Sequence, residues 1–277
     1  MIKSIIWVLS HPNNKDAKLK TLFRLVWWKV NQIFFKLPVI VDLKPGVKYI
    51  AYPDSSFGGL VVYTRLPEYY EMKYFDSIIQ PSDIVIDIGV HMGDYSLLAA
   101  SRINTGHVLS FEPSREALRV FNLNITINKY EEKITVYPVV ASAQNGYVDF
   151  VDNTRSEISH IQFERYLEKT SKTKTVKIDD ILSKKTYKKV KIAKIDVEGA
   201  ELFVLRGMEK SLSGHVIEQI LVEINSDCKN YGFTPEETIN YLRSFGYKLY
   251  FFAENGKLQK LNTFPDNKKY LNVIAKI

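Results

Sequence analysis

Nothing narrows the folds open to this chain as far as Asp83-Ile84-Val85-Ile86-Asp87-Ile88-Gly89-Val90-His91-Met92-Gly93-Asp94-Tyr95-Ser96. A β-branched apolar run reads as a strand buried on both faces, and such strands belong to parallel sheets covered by helices. Two glycines four residues apart then turn the chain onto a helix-like segment. Gly89 and Gly93 carry no Cβ, so backbone can approach a ligand closely there. Dinucleotide-binding turns use Gly-x-Gly-x-x-Gly, with a pyrophosphate on the helix N-terminus. Here the spacing is Gly-x-x-x-Gly, with Asp87 two residues before the first glycine. That arrangement suits a phosphate-free ligand with a cationic amino group, and S-adenosylmethionine is such a ligand.

From residue 83 onward the pattern is strand–helix repeats, the mark of an α/β fold with a mostly parallel sheet and helices on both faces. Seven strands are expected, at 84–88, 107–112, 134–139, 190–196, 218–224, 247–252 and 271–277. Helices are expected near 94–103, 114–128, 199–211 and 234–245. The polar segment 153–175 has no strong period and reads as an insertion or mobile loop near the site. Residues 1–80 read as a cap ahead of the main domain at 81–277. In the cap a helix over 16–36 precedes short strands at 39–43, 47–52 and 60–63, and a helix resumes at 68–79.

Charge is concentrated at the start. The chain of 277 residues carries +7, and residues 1–37 hold seven Lys and Arg against Asp16, a balance of +6 that leaves +1 for the rest. Leu19, Leu22, Phe23, Val26, Trp27, Val30, Ile33 and Phe34 recur at helical spacing, with Trp28 and Phe35 off the stripe. Such a helix packs on the domain, on a second subunit of a homo-oligomer, or on an anionic membrane surface, the first being the commonest case. Residues 1–10 are apolar but too short to span a bilayer, and they lack a signal-peptide cleavage site. Cys228 stands alone, so a reducing, cytoplasmic setting is expected, with peripheral attachment at the inner face of the membrane as its variant.

Two further strand ends carry acids. Glu112, in Val108-Leu109-Ser110-Phe111-Glu112-Pro113, follows Asp87 by 25 residues. An acid there accepts ribose hydroxyls or simply favours the next helix start, and Pro113 fixes the turn. Lys191-Ile192-Ala193-Lys194-Ile195-Asp196-Val197-Glu198-Gly199-Ala200-Glu201 empties three acids at a carboxyl end, where open α/β sheets bind ligands. Asp196 would face a sulfonium centre and the substrate. Glu198 and Glu201 either join it or cap the following helix.

Asp-Ile-Gly-x-x-x-Gly-Asp-Tyr-Ser, Phe-Glu-Pro-Ser, Asn-Leu-x-x-x-x-Asn and Lys-Ile-Asp-Val-Glu-Gly-Ala-Glu, in this order, resemble the FkbM family of S-adenosylmethionine-dependent methyltransferases. The resemblance covers roughly residues 68–225. It implies a Rossmann-like class I methyltransferase fold ending in an antiparallel strand, and methyl transfer to a hydroxyl of a sugar, glycan or polyketide-type natural product. It also implies that Asp87, Gly89, Gly93, Asp94 and Ser96 surround the methionine part of the cofactor. Glu112 then falls on the ribose, Val140-Ala141-Ser142 beside the adenine, and Glu71 braces the methionyl end or is an ordinary helix acid. The family usually has Ala-Asn-Ile between its glycines, whereas this chain has Val90-His91-Met92. His91 keeps a polar side chain for the cofactor or satisfies local backbone.

A hydroxyl acceptor must lose a proton, and the candidate bases are Asp196, Glu198 and His160. No His, Asp and Glu residues show metal-ligand spacing, so no metal site is assigned, and the spacing leaves metal dependence open. The near-neutral balance of residues 38–277 and the lack of an Asn/Asp-Pro-Pro-Tyr motif argue against a nucleic-acid methyltransferase. A membrane-associated glycan-pathway binding module is the other alternative, and the acids at the strand tips argue against it.

Overall fold

Short, β-branched runs buried on both faces become the middle of one sheet, because no other element hides so much apolar side chain over four or five residues. The computed structural model describes residues 2–152, 160–161, 170–185 and 187–277. In chain order its elements begin with helices α1 (Ile2–Ser10) and α2 (Lys18–Val30), the latter continued by a π-helical turn (Asn31–Phe35). A hairpin β1 (Val39–Lys44) and β2 (Val47–Ala51) follows, then α3 (Ser56–Thr64), α4 (Tyr69–Ile78), β3 (Ile84–Ile88), α5 (Asp94–Arg102), β4 (His107–Phe111) and α6 (Arg115–Asn128). Next come β5 (Ile134–Tyr137), β6 (Val140–Ala141), β7 (Gly146–Val151), β8 (His160–Ile161), β9 (Thr170–Val176) and α7 (Ile178–Leu182). The last part holds β10 (Ile192–Ile195), α8 (Glu201–Arg206), α9 (Glu209–Ser213), β11 (Gln219–Asn225), α10 (Pro235–Ser244), β12 (Lys248–Phe252), β13 (Leu258–Lys260) and β14 (Tyr270–Lys276).

The main sheet has the order β13-β12-β14-β11-β10-β3-β4-β5. Its five strands from β11 to β5 are parallel, while β14, β12 and β13 pair antiparallel. The chain leaves β3 toward β4 and later returns on the other side as β10. The β3/β10 boundary is therefore the switch point at which open α/β sheets bind ligands. Side chains alternate between two cores. Val85, Val108, Ile192, Leu221 and Ile274 face α3 to α6, whereas Ile86, Leu109, Ala193, Ile220 and Val222 face the helices that follow β9.

Four expectations are corrected. Among the described residues the main sheet has eight strands rather than seven, because the exposed triplet Leu258-Gln259-Lys260 adds to β12 with no apolar alternation to announce it. Residues 60–63 are helical. Ser55 Oγ accepts Gly58 N at 2.8 Å and caps α3, and this outweighs the strand preference of Val61 and Val62. The helix expected over 199–211 is two short helices, α8 and α9. They separate at Gly207, where a Cβ would lie 2.1 Å from Ser142 O. Within the polar segment, residues 170–176 form β9, paired with β7 and β6 in a second, four-stranded sheet. The expected insertion at 153–159 and 162–169 lies outside the described residues.

The cap is tied to the sheet domain by charge as well as by apolar packing. Asp76 on α4 takes Lys44 from β1 and Arg102 from α5, with Arg102 Nε at 2.9 Å. Burial alone would raise the Asp76 carboxyl, but the Arg102 and Lys44 hydrogen bonds outweigh it and hold it low.

Candidate active site

A cleft of about 370 Å³ opens over the carboxyl ends of β3, β4 and β10. Small-molecule sites run from roughly 300 to 1,000 Å³. Its floor is the turn after β3. Gly89 has φ +78°, and a Cβ there would lie 1.7 Å from Asp196 O, so only glycine lets β3 and β10 finish side by side. Gly93 has φ +99° and borders the Phe121 ring, where a Cβ would sit at 2.1 Å. It is a packing glycine at the start of α5, and its contact is with the core rather than with the cleft.

Between the glycines His91 takes φ +53°. This left-handed turn aims His91 N at Glu112 Oε2, 2.8 Å away, while Ser114 N donates to Oε1 at 2.8 Å. Both Glu112 oxygens thus hold one backbone donor and keep a lone pair each. The His91 ring meets Phe57 of α3 edge-on at 5.6 Å. The contribution of His91 on the Glu112 side is therefore its backbone N–H, and its ring faces the cap.

Strand register explains the polar layer under the cleft. Ser110, Asp87 and Lys194 are neighbours on one sheet face, and Glu223 and Asn272 continue that face across β11 and β14. Ser96 Oγ donates to Asp87 Oδ2 at 2.6 Å and pairs with Ser110 Oγ at 2.8 Å. Lys194 Nζ donates to Asp196 Oδ2 at 2.9 Å and lies 5.0 Å over the Tyr95 ring. Burial works against the Lys194 charge, yet Asp196, Glu68 and Glu223 outweigh it and hold the ammonium above its ordinary range. Glu68 accepts from Tyr95 Oη at 2.7 Å and from Asn272 Nδ2 at 2.6 Å.

Burial governs the carboxyls. It pushes Asp87 up to about 6 against the Ser96 hydrogen bond and Lys194, and Asp94 up to about 8 with Asp87 and Glu68 adding. It pushes Glu112 up to about 7 against its two backbone hydrogen bonds. Glu198, at φ +54°, is raised to about 7 by burial, with Asp196 and Asp227 adding. Glu223 is raised by burial and then by Asp196. So many buried acids in one cleft make it receptive to a cation. An acid with both oxygens half engaged suits a pair of hydroxyls. The residues present therefore fit S-adenosylmethionine, which carries an ammonium, a sulfonium and a ribose.

Of the residues singled out in the sequence, Asp87, Gly89, His91, Asp94, Glu112, Pro113, Ala141, Asp196 and Glu198 line the cleft together. Ser96 and Gly93 stand behind that lining as supports. Glu71 and Ser142 lie outside it. Burial raises Glu71 to about 7 next to Glu68, and Ser142 N donates to Val176 O at 2.9 Å. Glu201 accepts Gly199 N at 2.8 Å, the capping alternative. His160 belongs to β8 opposite Val151, and its side chain lies outside the described residues. Sequence reasoning missed Glu68, Lys194 and Glu223. A charged residue inside an apolar strand was the signal for the last two, but only the register gives them a common face.

The Methyltransferase FkbM domain matches residues 87–249 of the chain. Among similar proteins, the AMB antimetabolite synthetase AmbE of Pseudomonas aeruginosa is 25% identical over 187 residues, 54% of this chain and 9% of that protein. Methyltransferase 1 of Beauveria bassiana is 25% identical over 227 residues, 74% of this chain and 85% of that protein. The hexuronic acid methyltransferase AglP of Haloferax volcanii is 27% identical over 166 residues, 59% of this chain and 62% of that protein. The chain thus spans less than two thirds of AmbE and of AglP. Among solved structures, an rRNA methylase from Streptococcus thermophilus aligns with a TM-score of 0.44 at 14% identity, over 74% of this chain and 93% of that one. With its glycine turn, ribose-type acid and acidic strand end falling inside a domain match that covers more than half of its length, the chain belongs to the FkbM family of S-adenosylmethionine-dependent methyltransferases.

Proposed function

We propose that the protein methylates a hydroxyl of a sugar, glycan or related natural product. The observation that carries this reading is the grouping of Asp196, Glu198 and Glu223, three carboxyls that line the same cleft as Asp87 and Glu112. A hydroxyl is a poor nucleophile until its proton is removed, and a carboxyl raised toward neutrality, as that of Glu198 is, is suited to take it. The name of the Haloferax volcanii relative, a hexuronic acid methyltransferase, supports a sugar acceptor.

In this reading Asp87 and Asp94 hold the methionyl ammonium, Glu112 beside Pro113 takes the ribose hydroxyls, and Ala141 faces the adenine. When bound, the cofactor supplies an electrophilic methyl group on a sulfonium. Glu198 accepts the acceptor's proton, because a carboxyl held near 7 is part ionised at neutral pH and is not committed to an ion pair. Asp196 is so committed, through Lys194, and its work is to fix the polarity of the wall. Fixing the acceptor oxygen in line contributes roughly 7–11 kcal/mol, more than the base.

The test is a screen of sugar nucleotides, glycolipids and polysaccharides, with RNA transcripts beside them, using a labelled methyl donor. Label is expected in a base-stable ether on a sugar. Label confined to RNA bases or to protein would overturn the hydroxyl reading while leaving the family intact.

A further inference from the structure

Helix α2 has its polarity reversed relative to an ordinary surface helix. On α2 and its π-helical turn, Thr21, Trp28 and Asn31 point inward and are buried. Arg24 donates to Asn14 at 2.6 Å and to Thr21 at 2.9 Å, and Trp28 lies against Gly59 of α3. The apolar stripe expected to pack on protein is consequently on the outside. Leu19, Phe23, Val26, Ile33 and Phe34 are between 57% and 86% exposed, and Trp7 on α1 is 46% exposed. Surface helices normally bury such a stripe, and a large exposed apolar patch marks an interaction site. Five exposed lysines, Lys15, Lys18, Lys20, Lys29 and Lys36, share the same arm.

We propose that this arm docks the protein on an anionic membrane surface, with α2 lying in the plane of the lipid headgroups. Tryptophan and phenylalanine on one side with lysines around them is the composition of an interfacial helix. Among the described residues no helix is long and apolar enough to cross a membrane, so the arm lies on the bilayer. A second copy of the chain is the weaker occupant, since it would set one +6 arm against another, whereas anionic headgroups neutralise both. The docked face is also joined to the cleft. Gln32 Nε2 donates to Pro53 O at 2.8 Å, within the loop whose Tyr52, Asp54 and Ser55 line the cleft.

The whole chain is floated with phosphatidylcholine vesicles and with vesicles holding about one third phosphatidylglycerol. Flotation is expected only with the anionic vesicles and is expected to fall as salt rises. The Phe23→Glu/Phe34→Glu variant changes two exposed rings and should melt like wild type while partitioning at least about tenfold less. Lys15→Glu/Lys18→Glu/Lys29→Glu keeps the apolar face and should lose the anionic preference. No flotation of wild type on anionic vesicles overturns the proposal. So does unchanged flotation of both variants, or a lipid-free dimer that Phe23→Glu/Phe34→Glu dissolves.

Discussion

Glu112 reaches the cleft with a backbone donor already on each oxygen, which fixes its plane without a partner side chain. That is the kind of positioning a ribose needs, and it depends on His91 holding φ +53°. Glycine at position 91 adopts this conformation freely, so His91→Gly should leave cofactor affinity within about threefold by calorimetry. His91→Val should weaken it more, since a β-branched residue resists that φ. Glu198 carries a separate expectation. As the proposed base, raised to about 7, it would work only when ionised, so kcat should climb with pH through that value. Glu198→Gln should cost about 10²–10⁴-fold in kcat and flatten the profile, with S-adenosylhomocysteine binding unchanged. An unaltered profile would assign the base elsewhere. Asp87, Glu112 and Asp196 were legible in the sequence because acids at the ends of apolar runs stand out. Lys194 and Glu223 were not assigned roles, because their meaning depends on which strands are neighbours.

Two elements control how the cleft is framed. The turn at Gly89 is a backbone contact as much as a conformation, for a Cβ there would collide with Asp196 O. Gly89→Ala should lower unfolding free energy by more than the roughly 1–3 kcal/mol of a strained φ alone, measured by urea denaturation. The β1–α4–α5 junction rests on Asp76, one-tenth exposed, between Lys44 and Arg102. Asp76→Ala leaves two cations facing each other. Arg102 is partly in solvent, so a loss of about 1–3 kcal/mol is expected rather than the larger cost of a sealed pair. A change under about half a kcal/mol would mean that apolar packing alone holds the cap. The same region shows where reading a sequence by pattern fails. Val61 and Val62 suggest a strand, yet one serine cap and tertiary packing make α3. Trp28 falls off the apolar stripe, yet it is the residue that anchors α2.

Across the whole molecule, the buried acids set the response to pH. Asp87 at about 6, Glu71, Glu112 and Glu198 at about 7, and Asp94 and Glu201 at about 8 all lie above their unfolded values. Between the unfolded and folded values the native state holds more protons than the unfolded chain, so stability falls as pH rises through that window. Ligand-free protein should therefore melt at a higher temperature near pH 6 than near pH 8, and the opposite slope would contradict this account of the acids. The parallel order and the switch point were legible, since strand–helix alternation and glycine spacing carry them. The outward face of α2 was not, because periodicity locates a stripe but not the side on which it finds a partner. The most direct measurement is calorimetric titration of the whole chain with S-adenosylhomocysteine, wild type beside Glu112→Ala. The cleft described above requires saturable one-to-one binding by wild type and at least about tenfold weaker binding by the variant, the loss of hydrogen bonds to a charged group. Absence of binding to wild type, or equal affinity in the two proteins, would contradict it.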